Sequence, residues 1–122
     1  MDRIIKIDGK DVKFRATART PRLYRIFVGR DMICDMNKLI KDYNRIKEER
    51  AAGEDASLGM DDLIIFENTA FVMAKHADPE IESTTPDEWL DSFNMFSIYE
   101  ILPQLLELWA ANNRTTSKAK KN

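Results

Sequence analysis

The sequence predicts an α+β fold, mainly α, with an N-terminal β-hairpin packed on about five helices and a disordered basic C-terminal tail. Three observations carry that expectation. Residues 3–16, RIIKIDGKDVKFRA, alternate apolar and polar side chains around Asp8-Gly9. Later segments instead repeat their apolar residues at three- and four-residue spacing, the period of a helix with one buried stripe. Residues 114–122 hold four bases and no acid, a composition that cannot bury enough apolar area to offset ordering. With 122 residues, 43% hydrophobic and 33% charged, the chain fits one globular domain over 1–113 and a flexible basic tail over 114–122.

The hairpin comes first, because Asp-Gly supplies the positive φ angles of a tight turn. A two-residue loop pairs Ile5 with Val12 and Lys6 with Asp11; a four-residue loop pairs Ile7 with Val12 and Ile5 with Phe14. Either register places Ile5, Ile7, Val12 and Phe14 on one face, which must lie on helices since an isolated hairpin is marginal in water. Thr20-Pro21 then reads as an N-cap with proline at the first helical position, opening a short helix whose stripe is Leu23, Ile26 and Phe27 and which stops at Gly29. Asp31 caps a second helix carrying Met32, Met36, Leu39, Tyr43 and Ile46 inward, with Cys34 as a small core or boundary residue. The segment AAGEDASLG, residues 51–59, is expected to be a mobile loop.

From Met60 to Ala77 the polar pairs Asp61/Asp62, Asn68/Thr69 and Lys75/His76 recur every seven residues. Such a narrow wet stripe marks a central, largely buried helix. Thr85-Pro86-Asp87-Glu88 and Ser97-Ile98-Tyr99-Glu100 both read as capping boxes. Phe96 and Ile101 are spaced as a hydrophobic staple on the second, and Pro103 is expected to bend the final helix near its start.

Charge is unevenly spread: the balance is +6 over residues 1–30, −12 over 31–113 and +4 over 114–122. A basic start, an acidic body and a basic tail favour a protein partner or self-association through complementary patches. No apolar run approaches the roughly 18 residues of a membrane span, and a single Cys34 cannot form an internal disulfide, so a reducing cytoplasm is expected.

One His, one Cys and no phosphate loop predict no catalytic, cofactor-binding or metal-binding residues, and no enzyme. His76 reads as a surface imidazole at a helix C-terminus, where the dipole favours its charged form. Asp78, Glu80 and Glu82 mimic the opening ligands of a calcium loop, but Pro79, Ser83 and Trp89 break the pattern. Asp87, Glu88 and Asp91 are better explained as first-turn acids than as catalytic carboxylates. Two surfaces remain as candidates for binding. Trp89, Phe93, Met95 and Trp109 carry the residue types enriched at protein interfaces, with core packing as the competing reading for at least half of the aromatic set. Arg15, Arg19, Arg22 and Arg25 form a basic patch that invites a nucleic-acid reading, against which stand the acidic body and a pI near 5.5.

The hairpin IIKIDGKDVKFRAT, the segment ARTPRLYRIFVGRD, the helix FENTAFVMAKHADP, the block EWLDSFNMFSIYEILPQLLELW and the terminal TTSKAKK together resemble the small tail assembly chaperones of long-tailed phages and prophages of Gram-positive bacteria. The resemblance runs over nearly the whole chain, and none of its words is a catalytic signature. It implies a non-enzymatic factor in the bacterial host cytoplasm that binds the tape-measure protein, prevents its aggregation, helps recruit tail-tube protein and is absent from the finished virion. It also implies a short and a long form, the latter made by a −1 frameshift near Ala119-Lys120-Lys121. The alternative from the residues alone is a small nucleic-acid-binding regulator using the arginine-rich N-terminal region.

Overall fold

A computed structural model describes the backbone of residues 1–121 and the side chains of residues 1–112; the flexible basic tail expected over 114–122 lies outside the residues described in full. The chain folds as a hairpin, β1 (Asp2–Ile7) and β2 (Lys10–Arg15), followed by α1 (Thr20–Val28), α2 (Met32–Ala51), α3 (Met60–Ala77), α4 (Pro86–Leu90) and α5 (Ile98–Lys121). This is the α+β, mainly α architecture that the pattern predicts.

Asp8 at φ 53° and Gly9 at φ 74° form the two-residue turn, whose twist matches that of the strands it joins. It selects the register Ile5↔Val12 and Lys6↔Asp11 over the four-residue alternative. Ile5, Ile7 and Phe14 are fully buried on the inner face, with Val12 half-buried beside them. The outer face is held by charge, as Arg15 donates to both carboxylate oxygens of Asp2 at 2.8 and 3.1 Å. That guanidinium, together with Lys13, holds the Asp2 carboxyl well below the usual carboxylate range.

α3 is the central element, packed against β2, α1, α2 and α4, while α5 lies against β1. Phe66, Ala70, Phe71, Val72, Met73 and Ala74 of α3 are sealed from solvent. At the far side, Trp89 of α4 is ringed edge-on or tilted by Phe14, Phe71, Phe93 and Phe96, with centroids 5.2–6.3 Å away. These are the offset geometries that aromatic quadrupoles favour. A five-residue helix has little stability of its own, so this ring cluster is what fixes α4 to the hairpin and α3.

The structure corrects several local expectations. Thr20 is not a cap: its hydroxyl accepts from the Thr17 N–H at 2.8 Å while Arg19 occupies the cap position. Ile26 is 62% exposed and Tyr24 takes its place in the core, because α1 meets α3 along Leu23, Tyr24 and Phe27. Cys34 is exposed, since the inward positions of α2 are Met32, Asp35, Met36 and Leu39. The wet stripe of α3 is rotated from its predicted place: Asp62 and Thr69 are buried and Ile64 is exposed. The 51–59 loop is anchored, with Leu58 buried, its N–H donated to the Tyr99 hydroxyl, and the Ala56 carbonyl taken by Arg50. Asp31 and Thr85 do cap α2 and α4 as expected, accepting from Ile33 and Glu88 respectively. At the start of α5 the Ser97 carbonyl accepts from Glu100 and Ile101.

All four buried polar side chains of the described residues, Thr20, Asp35, Asp62 and Thr69, have partners. Thr69 donates to Met36 Sδ at 3.4 Å. Asp35 receives the Tyr24 hydroxyl at 2.8 Å and a two-pronged Arg30 guanidinium at 2.8 and 2.7 Å. Asp62 accepts from Lys38, which also reaches Asp42.

Candidate partner-binding surfaces

Of the four residues expected at a partner groove, Trp89 and Trp109 are core residues, 4% and 3% exposed. Phe93 is half-buried against Trp89 and Phe96, and Met95 alone is open, at 69%. Enrichment at interfaces is a property of residue type, and residue type is silent about direction: the same helical period that makes a stripe decides that it points inward. The four residues therefore do not form a joint surface.

A different groove lies between α2 and α5, with a volume of about 280 Å³. Its floor is Ile40, Tyr43, Pro103, Leu106 and Ala110, and Lys47 and Glu107 stand on opposite walls. Helical spacing places these side chains together: Ile40, Tyr43 and Lys47 recur at three and four along α2, and Pro103, Leu106, Glu107 and Ala110 do so along α5. Ile40, Tyr43 and Leu106 are half-buried rather than sealed and Ala110 is exposed, so an added apolar side chain removes further area from water at roughly 25 cal/mol per Å². Lys47 Nζ sits over the Tyr43 ring at 5.4 Å, and Glu107 is held by Arg3 of β1. The walls are thus positioned with opposite charge. The groove is not legible in the sequence because its residues come from elements more than fifty positions apart, and of them only Tyr43 falls on an apolar stripe expected to face inward.

The basic patch is divided by the fold. Arg15 is consumed by Asp2, and Arg30 by Asp35. Arg19, Arg22 and Arg25 remain exposed around α1.

His76 departs from its expected role. Its Nε2 lies 2.9 Å from Thr17 Oγ1, and the imidazole is half-buried among Arg15, Arg19 and the N-terminal amine. Burial first, then those cations, lower its pKa from the ordinary 6.5, overriding the helix-terminus effect that favours the charged form. The ring pins the β2–α1 connection to the end of α3. Cys34 lies on α2, outside this contact. Asp78 accepts from the Glu80 N–H in a local turn, and Glu88 accepts from the Thr84 and Thr85 hydroxyls at the start of α4. On α2 and α3, burial pushes the Asp62 carboxyl up and the adjacent Asp42 reinforces the shift, while Asp42 itself is lowered. Among the described residues no group of three or more His, Cys, Asp or Glu side chains is arranged to hold a metal ion.

No protein-family model, curated protein or solved structure matches this chain. Among the described residues, no helix is long and apolar enough to cross a membrane.

Proposed function

We propose that this chain is a non-enzymatic tail assembly chaperone of the host cytoplasm, which holds a long helical tape-measure protein in soluble form and helps bring tail-tube protein to it. The observation that carries the reading is the α2–α5 groove, an apolar channel between two helices with a lysine on one wall and a glutamate on the other. An amphipathic helix presents apolar residues at i, i+3, i+4 and i+7, the spacing that such a channel accepts. Covering that stripe removes from water the surface through which an isolated tape-measure helix aggregates. The family resemblance of the sequence supplies the identity of the partner; the groove supplies a means of holding it.

The nucleic-acid alternative loses support from the fold. Tyr24, which lies between the arginines in sequence, is fully buried, and Phe27 stacks edge-on against Phe71 at 5.8 Å. Neither ring is presented for base stacking.

Coexpression with fragments of the neighbouring tape-measure gene tests the proposal. The expected result is a soluble complex containing both chains, with the fragment insoluble when expressed alone. A fragment that stays equally insoluble with the chain present contradicts it.

A further inference from the structure

Residues 12–30 contain no acid and six bases, and the fold sorts these bases into two groups. Arg15 and Arg30 are spent on Asp2 and Asp35, and Lys13 also reaches Asp2. Arg19, Arg22 and Arg25 form no salt bridge among the described residues. α1 itself carries no acid, and its outer face therefore holds uncompensated positive charge on a body that is otherwise acidic.

That face is also apolar. Ile26, next to Arg25, is 62% exposed, and Ile33 at the start of α2 is 54% exposed. Beside Arg25 the α1–α2 corner forms a concavity of about 440 Å³ bordered by Pro21, Arg25, Arg30 and Ile33. One acid borders it, Asp31, and its carboxylate is engaged in capping the Ile33 N–H at 2.9 Å. Gly29 makes the turn at this corner, with φ at +77° and nothing within 4 Å of where a Cβ would stand.

We infer that the outer face of α1 and the α1–α2 corner are a second docking surface, which takes an acidic amphipathic helix of a partner protein: apolar residues over Ile26 and Ile33, flanking carboxylates on Arg22 and Arg25. Charge complementarity selects the acid, because three unpaired guanidiniums repel a basic segment and bind carboxylates in two-pronged fashion. The isoleucines select a helix with an apolar stripe over a nucleic acid. Phosphate makes no use of exposed aliphatic area, and this face presents no aromatic ring for a base. The surface is separate from the α2–α5 groove, so the chain can engage two different segments at once, and the inference does not depend on the tape-measure reading.

Fluorescence anisotropy with a labelled synthetic helix, leucine at i, i+3, i+4, i+7 and glutamate on its flanks, tests this on the full chain. Controls are a scrambled helix, a lysine-flanked helix and a duplex DNA oligonucleotide. The probe should bind the wild-type chain, and both Arg22→Gln/Arg25→Gln and Ile26→Ser/Ile33→Ser should weaken it by roughly tenfold or more, with unchanged circular dichroism. All four positions are exposed, so the fold should survive each pair. Added salt should weaken binding to the wild type and to the isoleucine variant more than to the arginine variant. The inference is overturned if the scrambled or lysine-flanked helix binds equally well, if DNA binds in preference, or if the isoleucine pair has no effect. Sedimentation showing that Ile26 and Ile33 mediate self-association would equally overturn it, by assigning the surface to a second copy.

Discussion

Replacing Tyr24 with Phe removes the hydroxyl from the buried network that joins α1 to α2, where it meets Asp35 and also Asn68 of α3. The ring is fully buried and its hydroxyl donates to Asp35 Oδ2 at 2.8 Å, so the substitution leaves packing unchanged and removes a donor from an ionised, 3% exposed carboxylate. Hydrogen bonds to charged groups contribute about 1.5–3 kcal/mol. For a domain of this size that corresponds to a fall in Tm of roughly 6–12 °C. Urea unfolding should show the loss as a lower midpoint with the same m-value, because the surface exposed on unfolding is unchanged. The effect should depend on pH with a defined sign. Arg30 and Tyr24 together hold the Asp35 carboxyl below its ordinary 3.8, so the stability it contributes is present above that value and is lost as pH falls through the folded-state pKa. Without the Tyr24 donor the folded-state pKa is less depressed, and the gap between wild type and variant should shrink in strong acid. A variant within about 0.5 kcal/mol of wild type at neutral pH, or a gap of the same size at pH 7 and in strong acid, would refute the assignment of this bond as a stabilising contact.

Trp89→Ala should lower stability by about 3–5 kcal/mol through the cavity left inside the Phe14, Phe71, Phe93 and Phe96 cluster, yet leave tape-measure capture intact at temperatures where the variant is folded; selective loss of capture would return Trp89 to the binding surface. Stability of the wild type should drop on acidification below about pH 6.5, because the folded state takes up the His76 proton less readily than the unfolded chain. His76→Gln should show a smaller drop, and parallel stability curves for the two proteins would contradict that. Gly29→Ala should cost about 1–2 kcal/mol by forcing a side chain into the left-handed region, whereas Gly59→Ala, at φ −77° with no atom within 4 Å of the added Cβ, meets no such strain and should cost less, losing only a favoured N-cap residue of α3. Equal effects at the two glycines would show that backbone strain does not decide either.

The elements were legible because each rests on a local signal. The Asp8-Gly9 turn, the Asp31 and Thr85 caps and the α2 stripe of Met32, Met36, Leu39 and Ile46 involve residues a few positions apart. Rotation of a helix about its axis was less legible. α3 is apolar nearly all round, so its period alone does not say whether Asp62 or Ile64 faces water, and only the neighbouring Lys38 on α2 explains a buried Asp62. The same holds for α1, where Ile26 and Tyr24 differ little as pattern symbols but only the tyrosine hydroxyl can meet Asp35. The surfaces were least legible, because a groove such as α2–α5 is made by two elements that the sequence keeps far apart. Charge marked the arginine segment as a whole, but pairing to Asp2 and Asp35 decides which of its members are free.

The central claim is that the α2–α5 groove holds a tape-measure helix, and site-directed photo-cross-linking addresses it most directly. Ala110 is exposed and lines the groove, and p-benzoylphenylalanine in its place should cross-link a coexpressed tape-measure fragment through apolar positions of the fragment. The same photo-label replacing Met95, exposed and outside the groove, should give no comparable product. Cross-linking from the Met95 position and none from the Ala110 position, in folded proteins that still capture the fragment, would contradict the account.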